Sequence, residues 1–474
     1  MRARIIVALL AAALLSGCAS GRPAGSNGPA SDALPALPMG AVANLPIGHY
    51  IKHVVVIIQE NRSFDNMFQG YPGADTQSYG YAKLKSGKVE KVDLTVAPFE
   101  GHYGGLDLAH GYAAAIVDCD APKGSQTCAN DGYWLANDKW RRSNHAPFYP
   151  YSYLDRTDTA PYWTMAQQYV LADKLFPTEW GPSFTAHIDL VAANTYLNDA
   201  KTLALVDSPN LTEAGPWGCD SPDKAPNKTT TPTLNSQKVE NRNGPFPCFT
   251  RYDTLAKLLD NKKLPWKFYA PAIGGLGGIY NTLDAIKWVR YGSDWTKNVI
   301  SPQTKILTDL PKQLAAVTWI TPTGVDSDHP HSDSDTGPSW VANIVNAVGE
   351  SPYWKSTAIV VLWDDWGGWY DHVLPPQLDF LGLGYRVPML VISPYAKKGY
   401  VDHTQFEFGS ILKFQENVFS LPSLGFTDQR ATGLSDAFDF SQKPRAFQTI
   451  PCKYPPSHFI NEGPSNQPVD DDKN

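Results

Sequence analysis

His53-Val-Val-Val-Ile-Ile-Gln-Glu60-Asn61-Arg62-Ser63-Phe64-Asp65 is an apolar, β-branched run that stops abruptly at a carboxylate and an amide. A run with no polar alternation reads as a strand buried on both faces, as in a parallel sheet covered by helices. Far along the chain, Ile359-Val-Val-Leu-Trp-Asp364-Asp365-Trp-Gly-Gly-Trp-Tyr-Asp371-His372 has the same form. The carboxyl edge of an open α/β sheet is where active sites are built. Glu60, Asn61, Asp364 and Asp365 brought together at that edge put three carboxylates in one place. They would repel one another unless a cation lay between them, so the pairing points to an oxygen-rich metal site.

Strand-like apolar runs recur at 53–60, 264–270, 314–321, 357–363 and 386–393, with helical patterns over Pro161–Phe176, Ser183–Tyr196, Tyr252–Leu259 and Ser339–Val348. That alternation predicts an α/β fold: a three-layer α/β/α sandwich around a mainly parallel central sheet. Two polar, Pro- and Asn-rich stretches, 75–155 and 200–250, interrupt the rhythm and read as lid-like insertions. No internal repeat is evident.

The 474 residues, 42% of them apolar, suffice for a large core. A formal charge of −7 without any Lys/Arg run excludes the footprint of a nucleic-acid binder. Residues 1–18 read as an export signal: Arg2 and Arg4, an apolar core too short to span a bilayer, and a Leu14-Leu-Ser-Gly-Cys18 ending. That ending looks like a lipoprotein box with Cys18 as the lipidated residue, although a cleaved signal with a chance cysteine is the plainer alternative. Residues 19–47, rich in Gly, Ala, Pro and Ser, would then be a flexible tether, 48–463 one folded domain, and 464–474 a polar tail. In an exported chain, Cys119 with Cys128 and Cys219 with Cys248 would each close a short loop, leaving Cys452 odd. Sequence does not fix that connectivity. No pair has Cys-x-x-Cys spacing, so a zinc role for the cysteines is unsupported.

Trp180-Gly181-Pro182-Ser183-Phe184-Thr185-Ala186-His187 places Ser183 at a helix start, where free N–H groups bind anions and favour an ionised hydroxyl beside a cation. A plain capping serine reads the same way. Four histidines stand in suggestive company: His110 in Asp107-Leu-Ala-His110, His329 and His331 in Asp326-Ser-Asp-His-Pro-His, and His372 after the Asp364-Asp365 strand. Imidazoles beyond strand ends can hold a phosphate, protonate a leaving oxygen or ligate metal. His49, His102, His145, His187, His403 and His458 read as ordinary surface or structural residues. Asp65 reads as a helix cap or as a partner orienting Arg62, and Gly367-Gly368 as a tight turn needing positive φ or close ligand approach.

These motifs, in order, resemble the bacterial phosphoesterase family of non-haemolytic phospholipases C and acid phosphatase A. The resemblance rests on Glu60-Asn-Arg-Ser-Phe-Asp65, Gly181-Pro-Ser183, Asp328-His-Pro330, Asp364-Asp-Trp-Gly-Gly-Trp-Tyr-Asp-His-Val373 with Pro375-Pro376, and Arg386-Val-Pro-Met-Leu-Val-Ile-Ser-Pro394. It implies an alkaline-phosphatase-like fold, metal ligation by Glu60, Asn61, Asp364 and Asp365, and Ser183 as nucleophile. It also implies phosphate contacts from His110, His329 and His331, with His372 in the Asp-His-Val motif. The implied activity is metal-dependent phosphoric-ester hydrolysis through a phosphoseryl intermediate, on phospholipids or phosphomonoesters. The ion could be Ca²⁺, Mg²⁺, Mn²⁺ or Zn²⁺. The chain departs from many phospholipases in having Ser-Phe-Thr-Ala-His after Gly-Pro and an Asp-Asp rather than an Asp-Glu pair. A sulfatase is disfavoured because no Cys- or Ser-x-Pro-x-Arg element occurs. The competing class is a non-catalytic surface lipoprotein with a structural cation and a partner- or glycan-binding face.

Overall fold

The computed structural model describes residues 45–99, 107–123, 127–137, 148–211, 215–310, 312–332 and 334–463. The expected signal with Cys18, nearly all of the tether and the tail 464–474 lie outside the described residues.

Nine strands form the central sheet: β1 His53–Gln59, β2 Val170–Phe176, β3 Trp266–Tyr269, β4 Val299–Ile300, β5 Val317–Ile320, β6 Thr357–Trp363, β7 Val387–Ile392, β8 Tyr400–Asp402 and β9 Phe406–Glu407. Their order is β4-β3-β5-β1-β6-β7-β2-β8, with β9 also pairing with β2. Every strand runs parallel to its neighbours except β7, which is antiparallel to both β6 and β2. All seven residues of β6 and all six of β7 are buried, so side chains on both faces meet protein rather than water. Helices supply that cover in two separate groups. One contains α1 Ala160–Gln168 packed on α2 Gly337–Gly349, and the other α3 Ser183–Ala192 packed on α4 Phe408–Phe419. The mainly parallel α/β sandwich expected from the apolar runs is therefore present.

The boundary within Pro161–Phe176 differs from expectation, since the helix ends at Gln168 and the remainder is β2. Asp173 and Lys174 break the apolar run there and mimic a helical period. In the fold, Asp173 is buried because its Oδ2 accepts hydrogen bonds from the Asp75 N–H and from His403 Nδ1.

The insertions carry structure of their own. A hairpin pairs Tyr79–Lys83 with Val89–Asp93, Thr95–Ala97 pairs with Ser152–Leu154, and a three-stranded sheet joins Leu203–Leu205, Thr233–Asn235 and Glu240–Asn241. Disulfides Cys119–Cys128 and Cys219–Cys248 staple these stretches and Cys452 is free, as the spacing suggested. Two disulfides fit an oxidising, extracytoplasmic setting. Among the described residues no helix is long and apolar enough to cross a membrane.

Candidate active site

The register of the sheet builds the centre. Gln59, the last residue of β1, pairs with Trp363, the last of β6, so the next residues of both strands leave the sheet side by side. Asp364 Oδ1 then accepts hydrogen bonds from the backbone N–H of Asn61 at 2.9 Å and of Asp365 at 2.8 Å, locking the two loops together. Asn61 takes a left-handed conformation, φ 59°, which Asn tolerates better than most residues. Gly367 has φ +61° and lies so close to Asn61 that a Cβ there would overlap the Asn61 carbonyl. The positive φ anticipated for Gly367-Gly368 is met at both residues.

Ser183 is brought to this point by β2 and the turn after it. It is the first residue of α3, with Pro182 in the capping position, rather than the cap itself. Its hydroxyl lies 3.3 Å from Asn61 Oδ1 and 3.3 Å from Asp365 Oδ2 and can donate to either. Glu60, Asn61, Asp364, Asp365 and Ser183 are all fully buried. His187, one turn along α3, joins them: its Nε2 is 3.1 Å from Glu60 Oε1 and 3.6 Å from Asp364 Oδ2. Burial pushes the Asp364 carboxyl up, but His187, Glu60 and Ser183 together more than offset it and the carboxyl lies below its ordinary range. Ligand atoms of Glu60, His187 and Asp364 all come within 4.8 Å of one another, and Asp364 Oδ2 accepts no hydrogen bond among the described residues. Buried carboxylate oxygens converging in this way fit a divalent cation.

Two of the predicted histidines come together with an aspartate. His110 and His329 face each other edge to face, centroids 5.5 Å apart, and Asp107 Oδ2 lies 3.7 Å from His110 Nδ1 and 3.7 Å from His329 Nε2. His110 Nδ1 is 2.7 Å from Leu108 O, so that nitrogen carries hydrogen. The segment adjoins the acidic turn, since a Cβ on Gly368 would overlap the Ala109 carbonyl and the Trp366 ring packs 6.5 Å from His110. His329 is placed by its neighbour. Asp328 Oδ2 accepts from Tyr162 Oη at 2.7 Å and Trp363 Nε1 at 2.8 Å, while the Asp328 carbonyl accepts from Arg62 Nε. Burial raises the Asp328 carboxyl to about 7. The side chain of His331 lies outside what the structure describes.

His372 is not brought to Ser183 by any described contact. Its Nδ1 lies 2.6 Å from Asp65 Oδ2 and its Nε2 3.1 Å from Asp75 Oδ1, in a cluster completed by Asp371 and fully buried Arg386. Asp65 therefore neither caps a helix nor orients Arg62. The cap is Ser63, whose Oγ accepts the Asn66 N–H. Although burial lowers the affinity of the His372 ring for its proton, the Asp65 contact raises it to about 9. Because 9 exceeds the unfolded value of ~6.5, this pair stabilises the fold fully below pH ~6.5 and loses its effect as pH rises through about 9. Allowing for solvent screening, about 1–2 kcal/mol should vanish between pH 6 and 9.5. Urea unfolding of wild type and His372→Gln at both pH values checks it: the gap between them should close at high pH, and a constant gap refutes the assignment.

The profile of the Phosphoesterase family matches residues 51–422. Phospholipase C A of Mycobacterium tuberculosis is 25% identical over 455 residues, covering 84% of this chain and 78% of that protein. Non-hemolytic phospholipase C of Burkholderia pseudomallei is 30% identical over 192 residues, 33% of this chain and 27% of that protein. Non-specific phospholipase C1 of Arabidopsis thaliana is 32% identical over 156 residues, 27% of this chain and 29% of that protein.

Proposed function

The chain belongs to the Phosphoesterase family and is a phosphoric-ester hydrolase, and on that premise we propose that it works through Ser183 as nucleophile beside a metal held by Glu60, Asn61, Asp364 and Asp365. The observation that carries this reading is the Ser183 hydroxyl lying 3.3 Å from both Asn61 and Asp365 at the start of a ten-residue helix. A divalent cation held by that oxygen set would supply the charge that favours the ionised serine and polarises a phosphoryl oxygen. Ser183 Oγ attacks phosphorus in line with the leaving alcohol, and the N-terminal end of the α3 dipole favours the anion beside it. His110 and His329 offset charge on the remaining oxygens, and His110 gives a proton to the departing alkoxide. Water then attacks the phosphoserine and returns the proton. His372 braces the acidic turn rather than touching substrate.

The relatives bear the name phospholipase C, which favours a phospholipid substrate. The Asp364-Asp365 pair, as in the acid phosphatase branch, supports phosphomonoesters as the second reading. Assays of p-nitrophenyl phosphate, p-nitrophenyl phosphorylcholine and phosphatidylcholine separate them. Activity should be lost in chelator and restored by one of Ca²⁺, Mg²⁺, Mn²⁺ or Zn²⁺. No turnover of any phosphoester with metal restored would sink the proposal. Export and tethering through Cys18 belong to the same reading, supported by the signal-like segment 1–18 and the disulfides. Cys18→Ser should leave the membrane fraction, and unchanged partition would count against an anchor.

A further inference from the structure

His187 lies on α3 one turn beyond Ser183, with its side chain wholly buried. Its Nε2 faces a carboxylate from the end of each central strand, Glu60 Oε1 at 3.1 Å and Asp364 Oδ2 at 3.6 Å. Its Nδ1 meets no hydrogen-bond partner among the described residues, and the ring stacks on Tyr280 with centroids 5.7 Å apart. These facts choose the tautomer. A buried N–H without an acceptor costs about 1–3 kcal/mol, and buried donors are left orphaned less often than acceptors. Hydrogen on Nδ1 would leave such an orphan, whether the ring were neutral or charged. Hydrogen on Nε2 is directed at two carboxylates. A ring nitrogen that carries hydrogen has no lone pair to offer a cation.

We propose that His187 is a positioning residue and not a metal ligand: it donates from Nε2 to Glu60, with Asp364 alongside, and so fixes the oxygen donors against the helix that carries the nucleophile. The inference rests on the metal site proposed above. Two consequences follow. The metal's donors are all oxygen, which favours hard cations such as Ca²⁺, Mg²⁺ or Mn²⁺ over Zn²⁺. Ser183 and His187 also share one rigid element, so any shift of α3 moves the nucleophile and the Glu60 clamp together.

Mn²⁺ alone, added to the full chain, is the probe. Pulsed electron paramagnetic resonance of the Mn²⁺ protein should show no directly bound imidazole nitrogen. In equilibrium dialysis His187→Ala should bind Mn²⁺ about 10–100-fold more weakly, the range for loss of a group that orients a ligand. His187→Gln, whose amide can still donate, should recover most of that affinity. A nitrogen coupling typical of a coordinated imidazole overturns the proposal, as does unchanged Mn²⁺ affinity in His187→Ala. Should His187→Ala fail to fold, the wild-type spectrum decides alone. A wild-type protein that binds no Mn²⁺, Ca²⁺ or Mg²⁺ overturns the metal site itself and this inference with it.

Discussion

Ser183→Ala should lower turnover by roughly 10⁴-fold or more, the scale seen when an enzyme loses its nucleophile. The metal should stay bound, because the serine hydroxyl touches Asn61 Oδ1 and Asp365 Oδ2 without being the link that holds the two loops together. That link is Asp364 Oδ1, which accepts the N–H groups of Asn61 and Asp365. Acid-quenched mass spectrometry of wild type with substrate should show phosphate on the peptide containing Ser183, and the variant should show none. Thr185 is the other hydroxyl on this turn, but its Oγ1 donates to the Pro182 carbonyl at 3.1 Å and is engaged with the backbone. Near wild-type turnover by Ser183→Ala would nevertheless move the nucleophile to Thr185 and undo the mechanism.

Asp365→Ala should fail in a different way, losing metal and activity together. Asp365 Oδ1 accepts the Gly367 N–H at 2.7 Å, which shapes the turn, and its Oδ2 faces Ser183. Removing the carboxylate opens the oxygen set and relaxes the turn. Metal affinity should drop by more than about 100-fold, beyond the 10–100-fold typical of residues that only orient a ligand. Metal content by elemental analysis after dialysis, with thermal unfolding beside it, checks this. Full metal occupancy in a folded but inactive Asp365→Ala protein would show that Asp365 serves the serine and not the ion.

The central strands were legible because burial on both faces removes polar alternation, and the candidate site because apolar runs seldom end in carboxylates. Strand direction was not legible. Nothing in Val387–Ile392 distinguishes an antiparallel strand from a parallel one, since either is buried on both sides. The small sheets of the insertions depend on pairings such as Thr95–Ala97 with Ser152–Leu154, which leave no local pattern. The surroundings of His187 and His372 were not legible, for one reason. A histidine's role is set by partners distant in sequence, Glu60 for the first and Asp65 for the second. The available signal for His187 was its helical spacing from Ser183, which puts both on one face of α3.

The pairing of Gln59 with Trp363 also constrains when the site can come into being. Glu60 and Asn61 are synthesised early, whereas Asp364 and Asp365 arrive only after six of the nine strands of the sheet, so on the proposed ligand set a growing or truncated chain would carry half a coordination shell. Bringing β1 to β6 closes a very long loop, an entropic cost that must be met by strand burial before any ion can contribute. A cation held between these two loops would therefore not nucleate this fold. On the proposed ligand set the ion would enter a framework already closed around its place, and a fragment ending short of Asp364 should not capture it.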